Sequence, residues 1–254
     1  MRPQVSIIIP TKNEEEGIAK VICGIPQKVL EISEVIVVDN SSDLTPVIAE
    51  RLGAKVVKVR KEGKGYAMKV GVKEANSEVI VFLDGDGTDS PQYIPKLLRK
   101  LEKSDMVLGC RTIDSRAEKK IYKLIFSSYI PFVNSLFKLL GFGIPFGFDP
   151  LAGFRALRKD IWERMNLKAN DFLIETEMNL RAVDLGLKVS FVRIPLLPRA
   201  GGLLNSKLVK NFDQWVKIFN YCLNYAKDNE LKKKVKELEQ KFREAYSETF
   251  DLIE

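Results

Sequence analysis

A chain of 254 residues, 45% hydrophobic and 30% charged, is long enough for one sizeable core or a core with an appended subdomain. Its net charge of +7 suits an anionic partner such as a nucleotide, a nucleic acid or an acidic membrane face, although an excess of lysine also serves solubility. The complete lack of histidine excludes Ser-His-Asp triads, Cys-His dyads and His-ligated zinc, so catalysis must run on carboxylates, Lys, Arg and a hard metal ion. The three cysteines, Cys23, Cys110 and Cys222, have no CxxC spacing and read as reduced thiols. The opening "MRPQVSIIIP" has neither a long apolar run nor a cleavage site, and no window reaches the roughly 18 apolar residues of a membrane span. The expectation is a cytoplasmic protein.

In chain order, "VSIIIP", "EVIVVD", "AKVVKV", "EVIVFLD" and "DMVLGC" read as five strands. Between them, Glu14 to Gly24, Asp43 to Gly53, Lys64 to Ala75 and Pro91 to Lys103 read as helices. Such alternation predicts an α/β fold with a parallel sheet covered by helices, in which ligands collect at the carboxyl ends of the strands. Those ends carry Pro10-Thr11-Lys12-Asn13-Glu14, Asp39-Asn40-Ser41-Ser42-Asp43, Lys61-Glu62-Gly63-Lys64-Gly65 and Asp84-Gly85-Asp86. Each cluster is also ordinary turn chemistry, and only their joint arrival at one edge points to a site.

After residue 110 the pattern changes. "IYKLIFSSYIPFVNSLFKLLGFGIPFGF" is apolar and aromatic, broken by Pro131, Gly141, Gly143 and Pro145. It reads as a helical hairpin on the core or as an amphipathic element resting on a membrane surface. "DPLAGFRALRKDIW" predicts a turn, a short strand and a helix. A helix bearing Glu175 and Glu177 follows, then a stop at Gly186 and a strand from Lys188 to Ile194. Residues two apart point to different helix faces, so at most one of the two glutamates enters a site. The tail from Asn205 is helical and highly charged and reads as a packing or partner-binding element. The expected division is a catalytic domain over 1–204, including the apolar segment 115–148, and a helical extension over 205–254.

Asp84-Gly85-Asp86-Gly87-Thr88 satisfies the D-x-D-G-T pattern of haloacid dehalogenase-like phosphatases. In that family the motif follows the first strand and precedes an apolar residue, whereas here three strand-helix units precede it and Asp89 follows. The second reading is the D-x-D of nucleotide-sugar glycosyltransferases. "IIIPTKNEEEGI", "VIVVDNSSDLT", "GKGYAMKVG", "FLDGDGTDSPQYIPKLL", "VLGCR", "DPLAGFRALRKDI" and "PRAGGLLNSKL" together resemble family 2 glycosyltransferases of the GT-A fold. Within them the likeness is to the polyprenyl or dolichyl phosphate hexosyltransferases. The chain departs from their pattern at Asn40, Thr88 and Ala152, and by three extra residues in the final signature.

The resemblance implies inverting transfer of a hexose from a UDP- or GDP-sugar to a polyprenyl or dolichyl phosphate, at the cytoplasmic membrane face, by a peripherally attached enzyme. It implies Mg²⁺ or Mn²⁺ held by Asp84 and Asp86, because hard cations take carboxylate oxygen, with Asp86 the more direct ligand. It places the nucleotide sugar on Pro10, Thr11, Asn13, Glu14, Asp39, Ser41, Lys64, Asp84 and Gly85, with the opening of the helix at Lys64 as a further anion site. The acceptor phosphate is expected on Arg111, Lys123, Arg199, Ser206 and Lys207. Asp86, Arg111 and Glu177 are the expected catalytic residues, and Glu177 rather than Glu175 is expected to line the pocket. Arg155 reads either as a site cation or as a packing residue. An acceptor hydroxyl in place of a phosphate, a phosphatase, and a catalytically silent nucleotide-binding subunit are the alternatives.

Overall fold

The computed structural model describes residues 3–111, 120–202 and 212–251, apart from the side chains of 120–128 and 248–251. The strands are β1 (Val5–Thr11), β2 (Ser33–Asp39), β3 (Lys55–Lys58), β4 (Val79–Phe82), β5 (Met106–Arg111), β6 (Arg155–Arg158) and β7 (Val189–Ile194). The helices are α1 (Glu15–Cys23), α2 (Gln27–Leu30), α3 (Thr45–Arg51), α4 (Lys64–Glu74), α5 (Ile94–Leu101), α6 (Lys120–Leu139), α7 (Lys159–Met165), α8 (Ile174–Asp184), α9 (Phe212–Tyr225) and α10 (Asn229–Asp251). All five expected strands form, and the fourth expected helix opens with a 3₁₀ turn, Pro91–Tyr93, before α5.

The sheet order is β3-β2-β1-β4-β6-β5-β7. β1 pairs parallel with β2 and β4, β2 with β3, and β5 with β7, while β6 runs antiparallel to β4 and β5. The fold is therefore a single, mostly parallel α/β sheet flanked by helices, with two helices closing the chain. Successive units step outward from β1 to β3, and β4 then returns to the opposite side of β1. This reversal opens a crevice at the carboxyl ends of β1 and β4, the usual ligand position in such sheets.

Both faces of the sheet are covered, which is why its strands read as unbroken apolar runs rather than alternating ones. Ile7, Ile9, Val37, Val81 and Val107 pack with Ile18, Val21, Ala49 and Leu97 from α1, α3 and α5. One residue out of step, Ile8, Ile36, Phe82 and Leu108 enter the opposite core with Met68, Phe137, Met178 and Trp215.

The apolar stretch after residue 120 is one helix, not a hairpin. Pro131 lies inside α6 without ending it. Ile130, Val133, Leu136 and Phe137 are fully buried along one stripe, and this packing outweighs the lost backbone donor. The turn comes at Gly141, where φ is 89°. From Ile130 onward the apolar stripe is spent on the core rather than on a membrane surface. Phe132 meets Phe242 of α10 at 5.9 Å. No helix among the described residues is long and apolar enough to cross a membrane.

Candidate active site

The β1–α1 and β2–α3 loops are tied together by short polar contacts. Thr11 donates its hydroxyl to Asp39 at 2.8 Å, and Ser41 donates to the same carboxylate at 2.6 Å. The Asn13 amide N–H donates to the Ser41 hydroxyl at 2.8 Å, and the Asn13 side-chain oxygen accepts from the Ser42 N–H at 2.9 Å. Asn13 sits at φ 56°, a left-handed conformation that asparagine tolerates. These contacts turn Pro10, Thr11, Lys12 and Glu14 toward a cavity of about 450 Å³ whose lining also includes Asn40, Val59, Lys61, Glu62, Asp84, Gly85, Asp86, Arg111 and Arg199.

Asp84 and Asp86 leave the end of β4 into this cavity, and each carboxylate has a cation beside it. Lys64 Nζ lies 2.6 Å from Asp84 and 2.6 Å from Glu175. Burial alone would lower the Lys64 pKa, but the two carboxylates reverse that and hold it above the usual lysine range. Burial likewise pushes Asp84 upward, and Lys64 with Arg111 and Arg199 brings it below the ordinary carboxylate value. Asp86 accepts from the Thr88 N–H at 2.9 Å and the Thr88 hydroxyl at 2.7 Å on one oxygen. Its other oxygen meets Arg199 Nη1 at 2.5 Å, while Arg199 Nη2 reaches Glu14 at 2.7 Å. Gly153 is required behind this pair, because a Cβ there would stand 2.6 Å from Asp84 Oδ2 and from Lys64 Nζ.

Arg111 is flanked by two buried acids, Asp89 and Asp149, each at 3.5 Å. That distance is an ion pair but not a hydrogen bond, and neither oxygen of Asp89 has a hydrogen-bond partner among the described residues. Burial therefore outweighs Arg111 and pushes Asp89 up to about 7. An acid whose pKa is raised on folding binds its proton more tightly in the native state. Its contribution to stability is complete below about 4 and is lost as pH rises toward 7. Asp89→Asn is expected to flatten the pH dependence of the urea midpoint across that window; an unchanged slope would refute the assignment.

Several expectations fail here for physical reasons. Two amides of the α4 N-terminus are not open to an anion, because Gly65 N–H and Tyr66 N–H already donate to the carbonyls of Asp171 and Asn170. Gly63, at φ 126°, packs so closely that a Cβ would lie 2.1 Å from the Asn170 oxygen. Glu177 does not line the cavity. Its carboxylate accepts from the N–H groups of Lys168 and Ala169 at 2.8–2.9 Å and fixes that loop. Glu175 is the glutamate on the cavity wall. Asn13, Asp39 and Ser41 do not line the cavity and are spent on the contacts that hold Thr11 and the loops. Arg155 is fully buried and structural, donating to the carbonyls of Ala152 and Pro150 and to the Asn179 side chain.

Of the expected site, the fold brings together Pro10, Thr11, Glu14, Lys64, Asp84, Gly85, Asp86, Arg111 and Arg199. The Lys123 side chain, Ser206 and Lys207 lie outside the described residues. Sequence reasoning missed Leu151, Asp171, Phe172, Gln214 and Ile218 on the lining. Leu151, Phe172 and Ile218 are apolar and Gln214 neutral, which does not separate them from packing residues, and Asp171 reads as an ordinary loop acid.

Among the described residues no three acidic or cysteine side chains converge into a closed metal cage. An open pair of hard oxygen donors, Asp84 and Asp86, nevertheless fits Mg²⁺ or Mn²⁺ at a nucleotide site, where such ions take only one or two carboxylates and draw the rest from phosphate and water.

The sequence profile described as Glycosyl transferase family 2 matches residues 6–162. A dolichyl-phosphate hexose transferase of Haloferax volcanii is 29% identical over 198 residues, 78% of this chain and 84% of that one. Glycosyltransferase AglJ of the same organism is 34% identical over 78% of this chain and 64% of its own length. The dolichol-phosphate mannosyltransferase of Pyrococcus furiosus is 30% identical over 70% of this chain, which spans about half of that protein, 53%. Among solved structures, glucosyl-3-phosphoglycerate synthase from Mycobacterium tuberculosis in complex with phosphoglyceric acid superposes with a TM-score of 0.68 at 24% identity, over 89% of this chain and 82% of that one. The same synthase in complex with Mn²⁺, uridine diphosphate and glucosyl-3-phosphoglycerate gives a TM-score of 0.63 over 85% and 76%. These structures share the GT-A fold with the present one, and the matched profile spans β1 through α7 with the acidic β4 tip at its centre; the chain belongs to glycosyl transferase family 2.

Proposed function

We propose that this glycosyltransferase moves a hexose from a UDP- or GDP-sugar to a polyprenyl or dolichyl phosphate, with inversion and with a divalent cation. The observation that carries the reading is the pair Asp84 and Asp86 on one cavity with Lys64, Arg111 and Arg199 around it. Family membership displaces the phosphatase reading of the same aspartates. The names of the dolichyl-phosphate relatives support a lipid phosphate acceptor.

Bound Mg²⁺ or Mn²⁺ would neutralise the diphosphate that departs, with Asp86 as ligand and Asp84 beside it. The remaining work belongs to the chain. Pro10, Thr11 and Glu14 form the floor for the nucleoside. Gly85 adds no side chain and leaves room for it. Arg111 and Arg199 offer planar, permanently charged forks that suit phosphate oxygens and hold an acceptor phosphate in line with the anomeric carbon. An acceptor phosphate is already anionic near neutral pH and needs no strong general base, in keeping with a chain that lacks histidine. A hydroxyl acceptor would need Glu175 as base, and Lys64 already holds that carboxylate. A lipid acceptor further requires the site to approach a membrane surface; Phe146, 69% exposed beside Lys138, supplies an aromatic and a cation for such contact.

The test is a thermal-shift panel of UDP, GDP and their hexose conjugates with and without Mn²⁺. One nucleotide is expected to stabilise the fold, and more so with the metal, by about 3 kcal/mol at a hundredfold excess over its Kd. Absence of any nucleotide-dependent shift would refute the donor assignment.

A further inference from the structure

Part of the cavity lining lies beyond the family-matched segment: Asp171, Phe172, Glu175 and Arg199, and a wall supplied by α9. Gln214 and Ile218, one helical turn apart on α9, both line it. Three contacts hold α9 in that position: Trp215 packs on Tyr129 of α6 at 5.2 Å, Phe219 packs on Phe242 of α10 at 5.4 Å, and Lys217 lies 3.7 Å from Asp171. Tyr129 in turn is hydrogen-bonded to Asp149, beside Arg111 and next to β6. The helix thus stands between α6 and the loop before α8, whose Asp171 carbonyl accepts from the Gly65 N–H at the start of α4.

The chemistry of this wall differs from that of the strand ends. Lys64, Asp84, Glu175, Asp86, Arg111 and Arg199 are all engaged in ion pairs. Gln214 is neutral, and among the described residues its amide has no hydrogen-bond partner. A primary amide both donates and accepts, which matches a hydroxyl group. Phe172, Leu151 and Ile218 on the same cavity offer apolar surface to the C–H face of a pyranose ring. Residues common to a family supply the shared step, whereas a wall beyond the shared segment is where one member can differ in the sugar it takes.

We infer that Gln214 reads a hydroxyl of the donor hexose and is a specificity-determining residue of this enzyme, an inference that rests on the proposed nucleotide-sugar donor. An epimer that turns the hydroxyl away leaves the amide unpaired in a partly enclosed site, so the wrong sugar is rejected at binding and at transfer.

The experiment uses the full chain and its Gln214→Leu and Gln214→Asn variants, the second keeping the amide but drawing it back by one methylene. Affinities are measured with Mn²⁺ for UDP and GDP alone, for UDP-glucose against UDP-galactose, and for GDP-glucose against GDP-mannose. The wild type is expected to favour one epimer, and both variants to shrink that preference by about tenfold, the worth of one hydrogen bond. Affinity for the bare nucleotide should stay within about twofold, since the amide touches only the sugar. An epimer preference unchanged in both variants, or absent from the wild type, overturns the inference while leaving the donor reading intact. Failure of every nucleotide to bind the wild type overturns both. Thermal midpoints of the variants should stay close to that of the wild type, because Gln214 is only partly buried.

Discussion

Asp86→Ala is expected to lower sugar transfer by two to three orders of magnitude or more, the usual scale for removing one preorganised electrostatic contact from an active site. The structure explains why the loss should be selective. Asp86 sits on the cavity wall, and its removal leaves the Arg199–Glu14 pair in place. The fold should therefore survive with a small change in midpoint, while Mn²⁺-dependent nucleotide binding disappears. Steady-state turnover and a Mn²⁺ titration of nucleotide-induced stabilisation check the two halves separately. Full turnover in the variant would remove the metal role from the β4 tip.

Arg155→Met should act through the fold instead, with a large stability loss from a residue that does not itself line the cavity. The guanidinium is fully buried, donating at 2.8 Å to the Ala152 carbonyl, at 2.8 Å to Asn179 and at 3.0 Å to the Pro150 carbonyl. Methionine fills much of the volume but leaves all three acceptors without that donor in a dry interior. Each buried acceptor left unpaired costs about 1–3 kcal/mol, so the loss should reach about 3 kcal/mol or more. Urea denaturation at constant m-value measures it. Arg155→Lys should recover little, since an ammonium cannot reproduce the planar fork. A loss below about 1 kcal/mol would mean that water replaces the bonds. The loop that Arg155 holds also carries Asp149, Leu151 and Gly153 to the site, so activity should fall in step with stability.

The sheet was legible because its information is local. Runs such as Ile7-Ile8-Ile9 and Ile36 to Val38 are buried on both faces and bounded by turn residues, so existence and type of each strand follow from composition alone. The β4 tip was legible because an apolar run ending in two acids has few bland explanations. What was not legible depends on tertiary neighbours. Glu177 and Glu175 differ only in where the loop 166–170 folds back, and nothing in "IETEM" records that. Asp39 has the composition of a ligand but is consumed by Thr11 and Ser41. Pro131 looked like a break, and a fully buried stripe carried the helix through it. Gln214 was invisible because a helix with apolar residues at regular spacing signals packing of some kind, without saying against what.

The shared core on the α4 side of the sheet has a consequence for the order of assembly. Phe242, near the carboxyl end, touches Phe132, Phe212, Trp215 and Phe219 at once, so the last helix locks the one before it onto α6. While the polypeptide is still emerging from a ribosome, the strands and their loops can settle, but the crevice lacks a side until these closing turns arrive. A nascent chain halted before Phe212 would hold the acidic β4 tip and no finished pocket around it.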